Sequence, residues 1–254
     1  MRKIIAIANQ KGGVGKTTTA TAIANGLHRR GFQTLLVDTD PQGNASDTYG
    51  AAEEKPTIYS LFTGETDAET AIQKTEQGDI IPGDLRMSAA DMQFTRQGRE
   101  YILRKALRPV QTRYDFIVID TPPALGIITI NALTAADSVI IPMLADRYSL
   151  QGINQLSDTI ATVREYSNPE LQVGGILLTR YNGRTVLSRD IRETIEELAT
   201  MWNTVVFRKT IRQSVSLQES QTQQQSIFEY APHSTTGEDY AAFLEELTGG
   251  VTVG

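Results

Sequence analysis

Short apolar runs ending in Asp, Pro or Thr recur along the chain, separated by stretches whose apolar residues return every three to four positions. The runs KIIAIA (3–8), TLLVD (34–38), FIVID (116–120), SVIIP (138–142) and VGGILLT (173–179) lack the alternation of a half-exposed strand. They predict parallel strands buried on both faces. TVVF (204–207) predicts one more, weaker strand. After the first run, Ala20, Ile23, Ala24 and Leu27 share one face of a helix that Gly31 ends. Strand–helix alternation throughout predicts an α/β fold, a doubly wound, mostly parallel sheet with helices on both faces. No proline- or glycine-rich linker divides the chain, so residues 1–254 read as a single domain. The segment 39–57 is the loosest, and SQTQQQ (220–225) reads as a polar loop.

Composition narrows the chemistry by exclusion. The chain has 254 residues and no cysteine, which excludes disulfides, thiolate zinc sites, cysteine-held iron–sulfur clusters and cysteine nucleophiles. His28 and His233 stand far apart and read as ordinary surface or satisfied residues rather than metal ligands or triad members. Net charge is −6, so nucleic-acid binding requires a local basic patch. No apolar run reaches the length of a membrane span, and MRKIIAIANQ is too short in apolar residues for a secretory signal. A cytoplasmic location is expected. Near the end, Tyr240, Phe243, Leu244 and Leu247 form an apolar stripe accompanied by Glu238, Asp239, Glu245 and Glu246. An acidic helix suits anionic lipid poorly, so this stripe predicts core packing and no membrane partner.

The stretch NQKGGVGKTT (9–18) lies between a predicted strand and a predicted helix, the context of a phosphate-binding loop. Gly12, Gly13, Val14 and Gly15 let backbone N–H groups turn toward phosphate oxygens, and the helix N-terminus adds positive dipole. Lys16 supplies countercharge to the β- and γ-phosphates, and the Thr17 hydroxyl is a magnesium ligand. The usual pattern places a glycine six residues before the lysine, but that position is Gln10, and a second lysine, Lys11, follows it. A magnesium–phosphate site needs carboxylates beyond the carboxyl ends of parallel strands. Asp38 and Asp120 each close a predicted strand, and Asp40 stands in the loop after the first of them.

KGGVGKTT, VDTDPQGN and IDTPPALG together resemble the ParA family of deviant Walker A ATPases. The resemblance runs over nearly the whole chain, through TINALTAADSVIIP, LQGINQL and GILLTRYNGRTVLSRDI. NQKGG is similar to ParA and Soj proteins, whereas MinD proteins usually show Ser-Gly before the lysine. With no helix-turn-helix extension before the first strand, the chain resembles the short, Soj-like branch. This implies ATP and Mg²⁺ as cofactors, with Lys11, Lys16 and Asp40 as catalytic residues. Lys11 would cross a face-to-face homodimer to the partner's phosphates, and Asp40 would position the attacking water. Thr17, Asp38 and Asp120 would serve the metal, and Thr18 would bond the α-phosphate. Relatives hold adenine between the segment after GILLT and a later Ile-Pro-Arg-Asn loop. Arg180, Asn182 and Arg212 occupy the corresponding places here, Arg212 where the proline normally sits.

The resemblance further implies a nucleoid-associated protein that binds duplex DNA without sequence preference and answers to a ParB-like or other ATPase-stimulating adaptor. Between Arg180 and Arg212, seven basic residues face four acidic ones, an excess of three in an acidic chain. Arg184 matches an arginine that relatives use on DNA, and Arg208, Lys209 and Arg212 join it as candidates. Arg189 and Arg192 have i,i+4 glutamates and read as a solvated helix face. Ser216 stands where a second DNA-binding arginine is expected. Alternative duties for the same engine are positioning a non-DNA cargo or a MinD-like role at the division site.

Overall fold

The computed structural model describes residues 2–52 and 54–250. Seven strands form one sheet in the order β3-β4-β2-β5-β1-β6-β7. They are β1 (Lys3–Ile7), β2 (Thr34–Asp38), β3 (Gln73–Thr75), β4 (Gly78–Ile81), β5 (Phe116–Asp120), β6 (Ser138–Leu144) and β7 (Gln172–Thr179). All neighbouring pairs are parallel except β3–β4, a short antiparallel hairpin at one edge. Helices of eight residues or more, numbered in chain order, are α1 (Lys16–His28), α2 (Ile127–Ala135), α3 (Arg147–Tyr166), α4 (Val186–Met201), α5 (Val215–Thr222) and α6 (Thr235–Thr248). The doubly wound fold read from the apolar pattern is the one observed.

Two apolar layers sandwich the sheet. One face, through Leu35, Ile117, Ile119 and Val139, packs on α2, α3 and α4. The other, through Ile5, Ile7, Leu36 and Val118, packs on α1 and α6. Ala20, Ile23, Ala24 and Leu27 are all buried, as their spacing predicts. Tyr240, Phe243 and Leu244 of α6 are no more than 1% exposed, so the acidic helix is a core helix. Burying each such side chain contributes about 1.5–3 kcal/mol. Gly26 lets α6 approach α1 closely, because a Cβ there would collide with Leu244.

Three local expectations need correction. Residues 204–207 form no strand: Val206 makes a single bridge to Ile176 beside β7. The Arg208 and Lys209 N–H groups bond the Glu246 carboxylate, at 2.8 and 2.9 Å, and the chain meets β7 again only at Ile211, in a second isolated bridge to Thr179. The segment SQTQQQ is only partly a loop, since Ser220 to Thr222 end α5. Gln224 turns the chain with a left-handed φ of 51°. Within 39–57, a short helix spans Asn44–Thr48. The β3–β4 hairpin escaped the pattern because its runs of three and four residues are too short and too polar.

Candidate functional site

Strand register brings two carboxylates together. Asp38 lies opposite Asp120 in the β2–β5 pair, and Ile7, at the end of β1, lies opposite Asp120 on its other side. The loop that follows β1 therefore passes directly over both. Each carboxylate is 0% exposed. Asp38 is pushed up to about 6 by burial, against hydrogen bonds donated by Ser46 and by the Asp40 backbone. Those bonds come from Ser46 Oγ at 2.6 Å, Ser46 N at 2.9 Å and Asp40 N at 3.1 Å. Burial, then the neighbouring Asp38 charge, raises Asp120 well above the usual carboxylate range. Neither carboxylate oxygen of Asp120 has a hydrogen-bond partner among the described residues. The nearby Thr17 hydroxyl and Lys16 charge only partly oppose the cost of desolvating that group. Its oxygens are suited to a cation.

The shape of the phosphate loop above these carboxylates is set by its glycines. Gly13 and Gly15 take left-handed φ values of 71° and 86°, which a side chain would strain. Gly15 is the N-cap of α1, and no side chain caps that end. The first N–H groups of α1 are thus available to an anion. A Cβ on Gly12 or Gly13 would meet no protein atom within 4 Å, so the loop is open on its ligand side. Asn9 shapes the entrance: its Nδ2 donates to Pro142 O at 2.7 Å, and its Oδ1 accepts from Lys11 N at 3.0 Å. Thr179 Oγ1 donates to Val14 O at 2.8 Å, tying the loop to the end of β7. Lys16 is 6% exposed, and its Nζ donates to Lys11 O at 3.2 Å. Burial lowers its pKa, opposed by the Asp120 and Asp40 charges. Asp40 Oδ1 accepts from Gln42 N at 3.0 Å.

These groups line a cleft of about 580 Å³, with Gly12, Gly13, Gly15, Lys16, Thr17 and Thr18 on its floor and Asp40 and Asp47 on one wall. Arg180 also lines it, with Gln218, Gln221 and Thr222 of α5. Arg180 holds a left-handed φ of 48°, a conformation a non-glycine residue keeps only when its surroundings impose it. Asn182 and Arg212 do not line this cleft. Asn182 Oδ1 accepts from Arg184 N at 3.2 Å, and Arg212 forks onto Asp239 with its closest contact at 2.7 Å. Sequence reasoning missed the α5 wall, because a run of polar residues carries no spacing that marks a ligand. Among the described residues no cluster of His, Cys, Asp or Glu forms a protein-only metal cage. A magnesium ion that completes its shell from phosphate and water needs none.

Lys11 is held within its own chain. Its Nζ contacts both oxygens of Asp146, at 2.7 and 2.8 Å, and Ser149 Oγ at 3.2 Å. Asp146 is also the N-cap of α3, accepting from Ser149 N at 2.8 Å. The surface basic residues are arranged more loosely. Arg184, Arg208 and Lys209 are exposed, whereas Arg212 is neutralised by Asp239. Arg192 pairs with Glu196 at 2.7 Å, as its spacing predicts. Arg189 bonds instead the carbonyls of Gly183 and Arg184, at 3.2 and 3.4 Å. No helix among the described residues is long and apolar enough to cross a membrane.

Comparison with known proteins agrees with this architecture. Residues 2–173 match the family described as an AAA domain. The chain is 39% identical to the sporulation initiation inhibitor protein Soj of Bacillus subtilis, over 97% of this chain and 98% of that one. It is also 39% identical to the chromosome partitioning protein ParA of Myxococcus xanthus, over 96% of this chain and 87% of that one. Among solved structures, cobyrinic acid a,c-diamide synthase from Mycobacterium smegmatis, with bound ADP and magnesium, superposes with a TM-score of 0.84. That match has 32% identity and covers 98% of this chain and 94% of that one. With the phosphate loop, the paired strand-end carboxylates and the Soj and ParA likeness spanning nearly its whole length, the chain belongs to the ParA/Soj family of deviant Walker A ATPases.

Proposed function

We propose that this chain is an ATP-hydrolysing partition switch, which pairs into a homodimer on ATP and then holds duplex DNA without sequence preference. A ParB-like adaptor stimulates hydrolysis and releases it. The observation that carries the nucleotide part is the orphaned Asp120 carboxylate beneath an uncapped phosphate loop. Asp38 already accepts three protein hydrogen bonds, so Asp120 and the Thr17 hydroxyl are the better placed to hold Mg²⁺, with Asp38 behind them. The ion would neutralise charge on the terminal phosphates. Lys16 supplies the fixed countercharge. Asp40 has one oxygen on Gln42 N and one left to orient water.

The dimer part rests on Lys11 at the loop mouth and on the relatives. To reach a partner's phosphates, Lys11 must leave Asp146. A partly exposed pair of this kind is worth only about 0–1 kcal/mol, less than a phosphate oxygen offers. Breaking it can therefore be driven by ATP. The DNA part rests on Arg184, Arg208 and Lys209, which are exposed, and on the relatives.

Fluorescence anisotropy with random duplex DNA, titrated across salt with ATP and with ADP, tests the reading. ATP is expected to raise affinity and ADP not to. Two or three phosphates per subunit give a logarithmic salt slope of roughly −4 to −5 for the dimer. Arg184→Glu is expected to weaken every sequence about equally and to reduce the slope by about 2, one contact per subunit. An ATP-bound dimer with no DNA affinity at low salt would sink the DNA role. Turnover at ordinary enzyme speed without any partner would favour small-molecule chemistry instead.

A further inference from the structure

Helix α5 is hard to explain as a packing element. Of its eight residues only Ser220 is buried, and Val215 is 69% exposed. Polar contacts hold its end and the following turn in place. Gln221 Nε2 donates to Thr18 Oγ1 at 3.1 Å, and Gln224 Nε2 donates to Asp47 Oδ1 at 3.0 Å. Gln77 Nε2 donates to Gln224 O at 2.6 Å and to Thr48 O at 2.5 Å. The helix is thereby stitched to the first turn of α1 on one side and to the segment following Asp40 on the other. Both belong to the nucleotide cleft.

The contact with Thr18 has a consequence for the direction of one proton. A hydroxyl carries one proton and two lone pairs. When Gln221 donates to Thr18 Oγ1, it fills a lone pair and keeps the Thr18 proton from pointing at α5. Among the described residues no acceptor takes that proton, and Thr18 lines the cleft. The proton is thus left for a ligand oxygen. Thr17 faces Asp120 at the metal end of the site, and Lys16 faces Asp40 and Asp120. Thr18, the next residue around the helix, faces α5. A nucleoside triphosphate whose terminal phosphates lie at Lys16 then presents its sugar-proximal phosphate to Thr18.

We propose that Gln221 is a positioning residue of the nucleotide site: by donating to Thr18 Oγ1 it aims the hydroxyl proton at the phosphate nearest the sugar, and so couples α5 to phosphate-loop occupancy. This rests on the nucleotide reading given above. A hydroxyl bonded to a charged oxygen contributes on the order of tenfold in affinity. Only part of that is kept if the hydroxyl must find its orientation unaided.

Calorimetric titration of ATP with Mg²⁺ into wild type, Gln221→Ala, Gln221→Glu, Thr18→Val and the Gln221→Ala/Thr18→Val double variant tests the assignment. Gln221→Ala is expected to weaken binding several-fold. Gln221→Glu, nearly isosteric, is expected to weaken it further, because a carboxylate accepts the Thr18 proton and turns it from the phosphate. The double variant is expected to bind no worse than Thr18→Val alone, since Gln221 acts through the hydroxyl. A readout that a merely structural role would not move is the discrimination between the two diastereomers of ATP bearing sulfur on the sugar-proximal phosphate. Wild type is expected to distinguish them and Gln221→Ala to do so less. Wild-type affinity in Gln221→Glu, or full additivity in the double variant, overturns the proposal while leaving the nucleotide site standing. Absence of ATP binding by wild type itself would overturn the nucleotide reading and this assignment with it.

Discussion

The phosphate-loop pole and the basic segments on either side of α4 hold charge in opposite ways. At the loop, Asp38 and Asp120 are fully buried and Lys16 is 6% exposed, and their positions are set by strand register and loop backbone. On the basic surface, Arg184, Arg208 and Lys209 lie in solvent, while Arg212 is taken by Asp239. Buried charge is costly, so it is kept in place by everything around it. Exposed charge costs little and is free to pair with whatever is near. A site of the first kind discriminates ligands by geometry. One of the second kind attracts a polyanion through summed charge and is tunable by single neighbours such as Asp239.

Substitutions can break this contrast, and the largest effect is expected at the loop. Lys16→Ala removes the buried countercharge, and calorimetry is expected to show ATP binding weakened by a factor on the order of 10² or more. Asp40→Ala should leave ATP affinity near wild type, because phosphate and metal contacts remain. Single-turnover hydrolysis is then expected to fall by about 10²–10⁴. Hydrolysis at the wild-type rate would remove Asp40 from the chemistry.

Smaller effects sharpen the comparison at the boundary between buried and exposed charge. Asp146→Asn keeps a competent N-cap on α3 but removes the ion pair with Lys11. Light scattering is expected to show ATP-dependent association at up to about thirtyfold lower protein concentration, matching two pairs per dimer worth at most about 1 kcal/mol each. In a Lys11→Ala background the same change should have no effect on association. If Asp146→Asn instead weakened association, Asp146 would be part of the closed state.

A last test, at the buried carboxylates, is a pH dependence. Asp38 is raised to about 6 when folded, above its ordinary value of 3.8. The folded state then holds the proton more tightly, so this group lowers stability as pH rises between those values. Metal-free wild type is expected to lose stability relative to Asp38→Asn as pH rises from about 4 to about 6, with no further divergence above. Denaturant midpoints measured across that range decide it. A gap that shrinks with rising pH would reverse the assignment.

The loop and its carboxylates were legible because their chemistry is local. Each of Asp38 and Asp120 closes an apolar run, and Gly12, Gly13, Gly15, Lys16 and Thr17 are contiguous. Parallel strands flanking such a loop allow little other placement. Gln221 and Asp146 were not legible. They approach Thr18 and Lys11 from 203 and 135 residues away, and neither lies in a motif. Arg212 and Asn182 were misleading for a related reason. Their place in the chain says they are near the cleft, but Asp239 and Arg184 N decide where their side chains go.

The sequence by itself determined the five central parallel strands, the main helix faces that cover them, the phosphate loop and the family, because apolar periodicity and contiguous glycines act over a few residues. Only the tertiary structure decided which polar side chains meet across the cleft: Lys11 on Asp146, Gln221 on Thr18, Arg212 on Asp239. A hydrogen bond or ion pair depends on distance to within a few tenths of an ångström and on angle. Residues far apart in the chain acquire that precision only once the sheet has closed and its helices have packed.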